Sequence, residues 1–196
     1  MAGKKESNFI NMFTSLLVIS FVAGISLGSV YNLTKAPIAA AAAKKMEDAL
    51  RLVLPDFDSI QPIKLKSAFE PDSLLVFQGF QNGQLTGWAV KTWSKKGFGG
   101  EVNLIAGFKP DGSIKNISVL DHKETPGLGD KMQASKSDWY RQFLDKNPAD
   151  FRLKVKKDGG DVDAITAATI SSRAFTEAVD RAWQTIENAK KEGGNE

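Results

Sequence analysis

Thr169-Ile-Ser-Ser-Arg-Ala-Phe-Thr-Glu-Ala-Val-Asp-Arg-Ala-Trp-Gln-Thr-Ile-Glu-Asn-Ala-Lys190 decides the fold of this 196-residue chain. Ile170, Ala174, Ala178, Ala182, Ile186 and Ala189 recur in it at steps of four, four, four, four and three. That spacing gathers them on one face of a helix, and Phe175, Val179 and Trp183 widen the stripe. A helix with so broad an apolar face is core-facing, and its small alanines predict that it lies close against a sheet.

Working back from this helix, short apolar segments of strand length predict that sheet: Leu74 to Phe80, Thr86 to Trp93, Val102 to Phe108 and Ile114 to Leu120. Pro110-Asp-Gly112 between the last two reads as a hairpin turn. Trp139 to Leu144 reads as a short helix and Phe151 to Val155 as a further strand. Pro37 to Leu54 reads as a helix with proline near its start, five alanines, and Met46, Leu50 and Val53 on one face, ended by Pro55. Helices at both ends of an antiparallel set of strands make an α+β domain.

Farther back, no charged side chain occurs from Ser7 to Thr34, and Phe9 to Tyr31 is rich in Phe, Ile, Leu and Val. At about 1.5 Å per residue this spans a bilayer core of about 30 Å. A cleavable signal has a shorter apolar region, so the segment reads as a retained transmembrane helix. Gly24, Ser26, Gly28 and Ser29 would permit close packing on a neighbouring membrane helix. Lys4 and Lys5 precede the span, which predicts a cytoplasmic N-terminus and an extracytoplasmic domain. The expected organisation is a cytoplasmic segment at 1–8, the span at 9–31, the domain at 32–190 and a polar tail at 191–196.

Composition narrows the chemistry. There is no cysteine, which excludes disulfides, thiolate zinc sites, iron–sulfur clusters and a cysteine nucleophile. The single histidine, His122, removes multi-histidine metal sites. No metal is expected, and redox chemistry would need an organic cofactor. The net charge of +3 has no long basic run behind it, so nucleic acid is not an expected partner.

Four hydroxyls, on Thr166, Thr169, Ser171 and Ser172, crowd the junction where loop becomes helix. Hydroxyls at such a place commonly cap the helix. A helix start is also a ready phosphate site, because its free N–H groups and partial positive charge favour anions. Ala167 and Ala168 leave the backbone open to a bulky group.

The run Asp163-Ala164-Ile165-Thr166-Ala167-Ala168-Thr169 resembles the flavinylation signature of the FMN-binding domain family, D-x-x-(S/T)-(G/A)-A-T. Ala167 stands where that family commonly has glycine. Lys96-Gly97-Phe98-Gly99-Gly100 resembles its glycine-rich loop, and Glu124-Thr125-Pro126-Gly127-Leu128-Gly129 its E-T-P-G-L-G segment. The resemblance covers nearly the whole outer domain. One anchor followed by one such domain is similar to the G subunits of Rnf-type electron transport complexes, with the C subunits of sodium-translocating NADH:quinone reductases as longer rivals.

The resemblance implies covalent FMN, a phosphoester from its phosphate to Thr169, and a flavin transferase as maturation partner that recognises Asp163, whose carboxylate is also expected among the cofactor-site groups, helping to position the acceptor hydroxyl. It implies cofactor contacts from Thr166, Ala167, Ala168, Ser172, Glu124, Thr125, Gly127, Leu128 and Gly99. It further implies an electron relay that is no enzyme alone and works among other membrane subunits of an ion-translocating complex. The contrasting expectation is a membrane-tethered binding or assembly module whose hydroxyls only cap the helix.

Overall fold

The computed structural model describes residues 8–69 and 71–193. Most of the expected cytoplasmic segment, and residues 194–196 of the expected tail, lie outside them. Two compact units divide the chain, Met1–Lys45 and Met46–Glu196.

The first unit consists, among the described residues, of helix α1, Phe9–Val53, up to its boundary at Lys45. The helix is long and apolar enough to cross a membrane. Its extent corrects the expectation of two helices separated near Pro37, because Pro37 lies inside α1. Proline forfeits one helical hydrogen bond, but no glycine stands between Tyr31 and Pro37 and strong helix formers follow it. Thr34 donates back to the Val30 carbonyl at 2.8 Å, a bond compatible with continued helix.

The second unit is built on an antiparallel meander of five strands in the order β1-β2-β3-β4-β5. These are β1 Ser59–Lys66, β2 Ser73–Gln81, β3 Gln84–Ser94, β4 Val102–Phe108 and β5 Ile114–Asp121. The four expected strands appear as β2 to β5. Strand β1 escaped the sequence reading because it contains Pro62 and is largely exposed. It is an edge strand, where a missing N–H costs no ladder bond. The hairpin turn forms as read: Gly112 N–H donates to the Lys109 carbonyl at 2.9 Å.

Helix α2, Thr169–Gly193, covers one face of the sheet. Ala174, Phe175, Ala178, Val179, Ala182 and Ile186 share a core with Leu74, Val76, Val90, Leu104, Ala106 and Phe108. The alanines permit close approach, and Thr92 on β3 donates directly to the Ala178 carbonyl at 3.0 Å. A second cluster gathers Ala49, Leu50 and Val53 of α1 with Leu54, Ala89 and Ile105. Strand β4 therefore contributes to both clusters, and nearly every residue of it is buried. The expected α+β class holds.

Three details depart from expectation. Ile170, assigned to the core stripe, is 45% exposed because the first turn of α2 borders a pocket. The expected strand at 151–155 is a loop with one parallel bridge, Val155 to Val162. There the Asp161 carboxylate accepts from the Arg152 backbone N–H at 2.8 Å and pairs with its guanidinium, in place of a neighbouring strand. Trp139–Phe143 is helical as read, in the tighter 3-10 form.

Asp180 on α2 gives a pH-dependent prediction. Burial pushes its carboxyl above the ordinary value of 3.8, against the pull of the Gln184 amide. A raised folded-state value means that the charged form is disfavoured on folding, so the penalty is present at neutral pH and vanishes as the group protonates. Asp180→Asn should raise the thermal midpoint at pH 7, and the gain should disappear below pH 3.8. Equal midpoints at pH 7 would count against this.

Candidate functional site

Upstream of α2 the chain makes a tight turn in which Ala168 N–H donates to the Ile165 carbonyl at 3.0 Å. The third residue of that turn, Ala167, has φ +62, a left-handed conformation that favours glycine. Ser172, fully buried, locks the turn from inside. Its Oγ accepts from Ile165 N–H at 2.9 Å and donates to the Ala168 carbonyl at 3.0 Å. The hydroxyl of Ser171 donates to Glu124 at 2.5 Å.

Two of the four hydroxyls are thus committed to protein partners, and those of Thr166 and Thr169 make no hydrogen bond among the described residues. Neither threonine acts as a side-chain cap. The backbone amides of Thr169, Ile170 and Ser171 open the helix without backbone acceptors, as first-turn amides do. Nearby cations are engaged: Arg173 makes two bonds of 2.7 Å to Asp158, and Lys156 pairs with Asp163 at 2.7 Å. The Arg173 guanidinium holds the Asp158 carboxyl below the usual carboxylate range.

Thr169 lines a pocket of about 340 Å³ together with Ala167, Ala168, Ile170, Thr125, Leu128 and Phe98. That is the low end of the size of small-molecule sites, roughly 300–1,000 Å³. One buried carboxylate holds its walls together. Glu124 accepts Gly99 N–H at 3.0 Å on one oxygen and Ser171 O–H on the other, joining the glycine loop, the 122–130 segment and α2. Its own N–H donates to His122 Nδ1 at 3.0 Å. Glycine is required at both approaches. A Cβ on Gly99 would stand 1.8 Å from the Lys123 carbonyl oxygen, and one on Gly129 would stand 2.6 Å from Ser171 Oγ.

A family profile described as "FMN-binding domain" matches residues 97–184, which include every wall of this pocket. The G subunit of a proton-translocating ferredoxin:NAD(+) oxidoreductase complex from Clostridium ljungdahlii is 31% identical over 188 residues, covering 95% of this chain and 96% of that one. The chain belongs to the G-subunit family of ion-translocating oxidoreductase complexes. The corresponding G subunit of an ion-translocating oxidoreductase complex from Aliivibrio fischeri is 32% identical with 85% of each chain covered. That of Vibrio atlanticus is 43% identical over 108 residues, a match to 54% of this chain that spans about half, 52%, of its own length.

For a G-subunit chain whose matched region is an FMN-binding domain, the pocket suits the cofactor. It offers a free hydroxyl and open amides beside apolar walls. Of the residues read from the sequence, Thr169, Ala167, Ala168, Glu124, Thr125 and Leu128 line it. The others do not. Ser172 is a buried lock on the turn, Thr166 is exposed outside the lining, Gly127 forms an exposed turn at φ +76, and Gly99 supports the wall from behind. Asp163 points its carboxylate at Lys156 on the surface, and makes no bond to the Thr169 hydroxyl among the described residues. Its backbone is gripped instead: the carbonyl accepts from Trp139 Nε1 at 2.6 Å and the N–H donates to Gln142 Oε1 at 2.8 Å.

Phe98, Gly129, Ile170 and Ser171 complete the lining and were missed as site residues. An aromatic residue flanked by glycines was the available signal for Phe98. Ala167 gives a further prediction. A non-glycine left-handed residue costs roughly 1–2 kcal/mol, partly offset in glycine by its greater freedom when unfolded. Ala167→Gly should stabilise the domain by about 0.5–1 kcal/mol in chemical denaturation, and a loss of stability would refute the strain.

Proposed function

We propose that this chain is a single-span electron relay in an Rnf-type ion-translocating complex, with FMN esterified through its phosphate to Thr169. The observation that carries the reading is the uncommitted Thr169 hydroxyl, inside a pocket and at a helix mouth whose first amides are open. When bound, the flavin supplies the redox chemistry that this cysteine-free chain has no side chain to perform.

The residues supply attachment and orientation. Thr169 Oγ displaces AMP from FAD at the phosphorus, loses its proton, and becomes the ester oxygen. The amides of Thr169, Ile170 and Ser171 meet the phosphate charge at the positive end of α2. With Arg173 and Lys156 already paired, those amides remain as unpaired donors at the helix mouth. A flavin transferase is the maturation partner, and the Trp139 and Gln142 grip on the Asp163 backbone supports a fixed presentation of the acceptor run.

Lys4 and Lys5 before the apolar helix support a cytoplasmic N-terminus and an extracytoplasmic domain, where an ester prevents loss of the cofactor. One span offers no ion pathway of its own, so partners must move the ion and exchange electrons with the flavin. The name of the Clostridium ljungdahlii relative supports ferredoxin and NAD as terminal redox partners of that complex.

The test is purification of the tagged full-length chain from membranes solubilised in mild detergent. Recovery with polytopic subunits, and bleaching of the flavin absorbance by reduced ferredoxin in the recovered complex, is the expected result. Recovery of the chain alone, with no other membrane subunit, would overturn the assignment to a complex.

A further inference from the structure

Phe98 is 70% exposed, the most exposed large apolar side chain among the described residues of the second unit. It stands in the wall of the pocket that contains Thr169. The same pocket is lined by Leu128, 39% exposed, and Ile170, 45% exposed. Scattered apolar residues on a surface need no explanation, but three around one pocket mark a binding surface.

The loop that carries Phe98 is held at several points. Gly99 N–H is bound to the buried Glu124 carboxylate, Gly100 N–H donates to the Gly97 carbonyl at 3.3 Å, and Lys96 pairs with Glu177 of α2 at 3.2 Å. With the backbone of Gly99 too close to Lys123 to admit a side chain, the loop lies flat on the 122–130 segment. It presents Phe98 outward rather than burying it.

We propose that Phe98, with Leu128 and Ile170, forms an apolar bracket that receives the isoalloxazine ring of the flavin carried on Thr169. The inference rests on attachment at Thr169. The occupant is chosen by the tether, since Phe98, Leu128 and Ile170 are the large apolar side chains in the walls of the pocket that contains the acceptor hydroxyl. An aromatic side chain suits a planar ring because offset or edge contacts add to simple burial. Phe98 also keeps water from one side of the ring, whereas Glu124 supports the bracket from behind with both carboxylate oxygens already occupied.

The experiment compares full-length wild type, Phe98→Ala and Phe98→Leu, each made with the flavin transferase. Covalent loading is read by intact mass, ring environment by visible circular dichroism, and ring access by iodide quenching of flavin fluorescence. Loaded Phe98→Ala should lose much of the visible dichroism and be quenched severalfold more readily, with Phe98→Leu in between. Loaded Phe98→Ala indistinguishable from wild type in both readings would overturn the bracket and leave Phe98 to a protein partner. Loading of wild type but not of Phe98→Ala would overturn it too, by placing Phe98 in the transfer step. A wild type that never gains flavin mass would instead sink the attachment on which the inference rests.

Discussion

Thr169→Ala should abolish the covalent flavin and leave the fold intact. The threonine is the first residue of α2, its hydroxyl has no protein partner among the described residues, and it is only partly buried. Its removal breaks no bond that holds the turn, since Ser172 does that work. Stability should change by less than about 0.5 kcal/mol, as for other substitutions away from special features. The flavin fluorescence of the denatured band should vanish completely. Thr169→Ser keeps an acceptor oxygen and should retain some loading. Persistent fluorescence in Thr169→Ala would move the attachment to Thr166, the other free hydroxyl of the four at the helix start, because Ser171 and Ser172 are already engaged.

The second large effect is expected at Glu124. Truncation to alanine leaves the Gly99 N–H and the Ser171 O–H without partners at a site where Glu124 is only 5% exposed. Ser171 is 2% exposed, and a buried hydroxyl left unmet costs about 1–3 kcal/mol; with the lost packing of the Glu124 side chain added, Glu124→Ala should lose about 2–4 kcal/mol. For a domain of this size, at about 2–4 °C per kcal/mol, calorimetry of the full chain in detergent should show a midpoint lower by roughly 5–15 °C. Glu124→Gln keeps the volume and an acceptor for Gly99, and the Ser171 hydroxyl can turn to accept from the new amide. It should recover most of the loss. An alanine variant within about 1 kcal/mol of wild type would show that the carboxylate does not join the three segments.

The sheet was legible because β2 to β5 are apolar runs bounded by Gly-rich or Pro-containing turns, and α2 because its stripe keeps helical spacing over five turns. Strand β1 was not legible, since Pro62 interrupts it and leaves only the short alternation Ile63-Lys64-Leu65-Lys66. The continuity of α1 through Pro37 was hidden for the opposite reason: proline is a strong local signal that surrounding helix formers override. Arg181, 4% exposed among Trp93, Phe69 and Glu177, follows no periodic pattern at all.

At the site, the acceptor threonine and the E-T-P-G-L-G segment were found by motif, but motifs do not distinguish wall from scaffold. Glu124 meets Ser171 across 47 residues of sequence, and no spacing rule predicts that the two share a bond. The left-handed φ of Ala167 supplies a physical reason for the glycine commonly found there, which the sequence registered only as a departure. Asp163 illustrates the reverse. Its place in the motif suggested a role beside the acceptor, whereas its carboxylate is held by Lys156 at the surface.

Esterification of FMN to Thr169 is read by intact mass and peptide mapping of the full-length chain produced with the flavin transferase. The expected gain equals FMN less one water, carried by the peptide containing Thr169 and localised to that residue by fragmentation. A chain that stays at its unmodified mass, or a flavin found on any other residue, would contradict it.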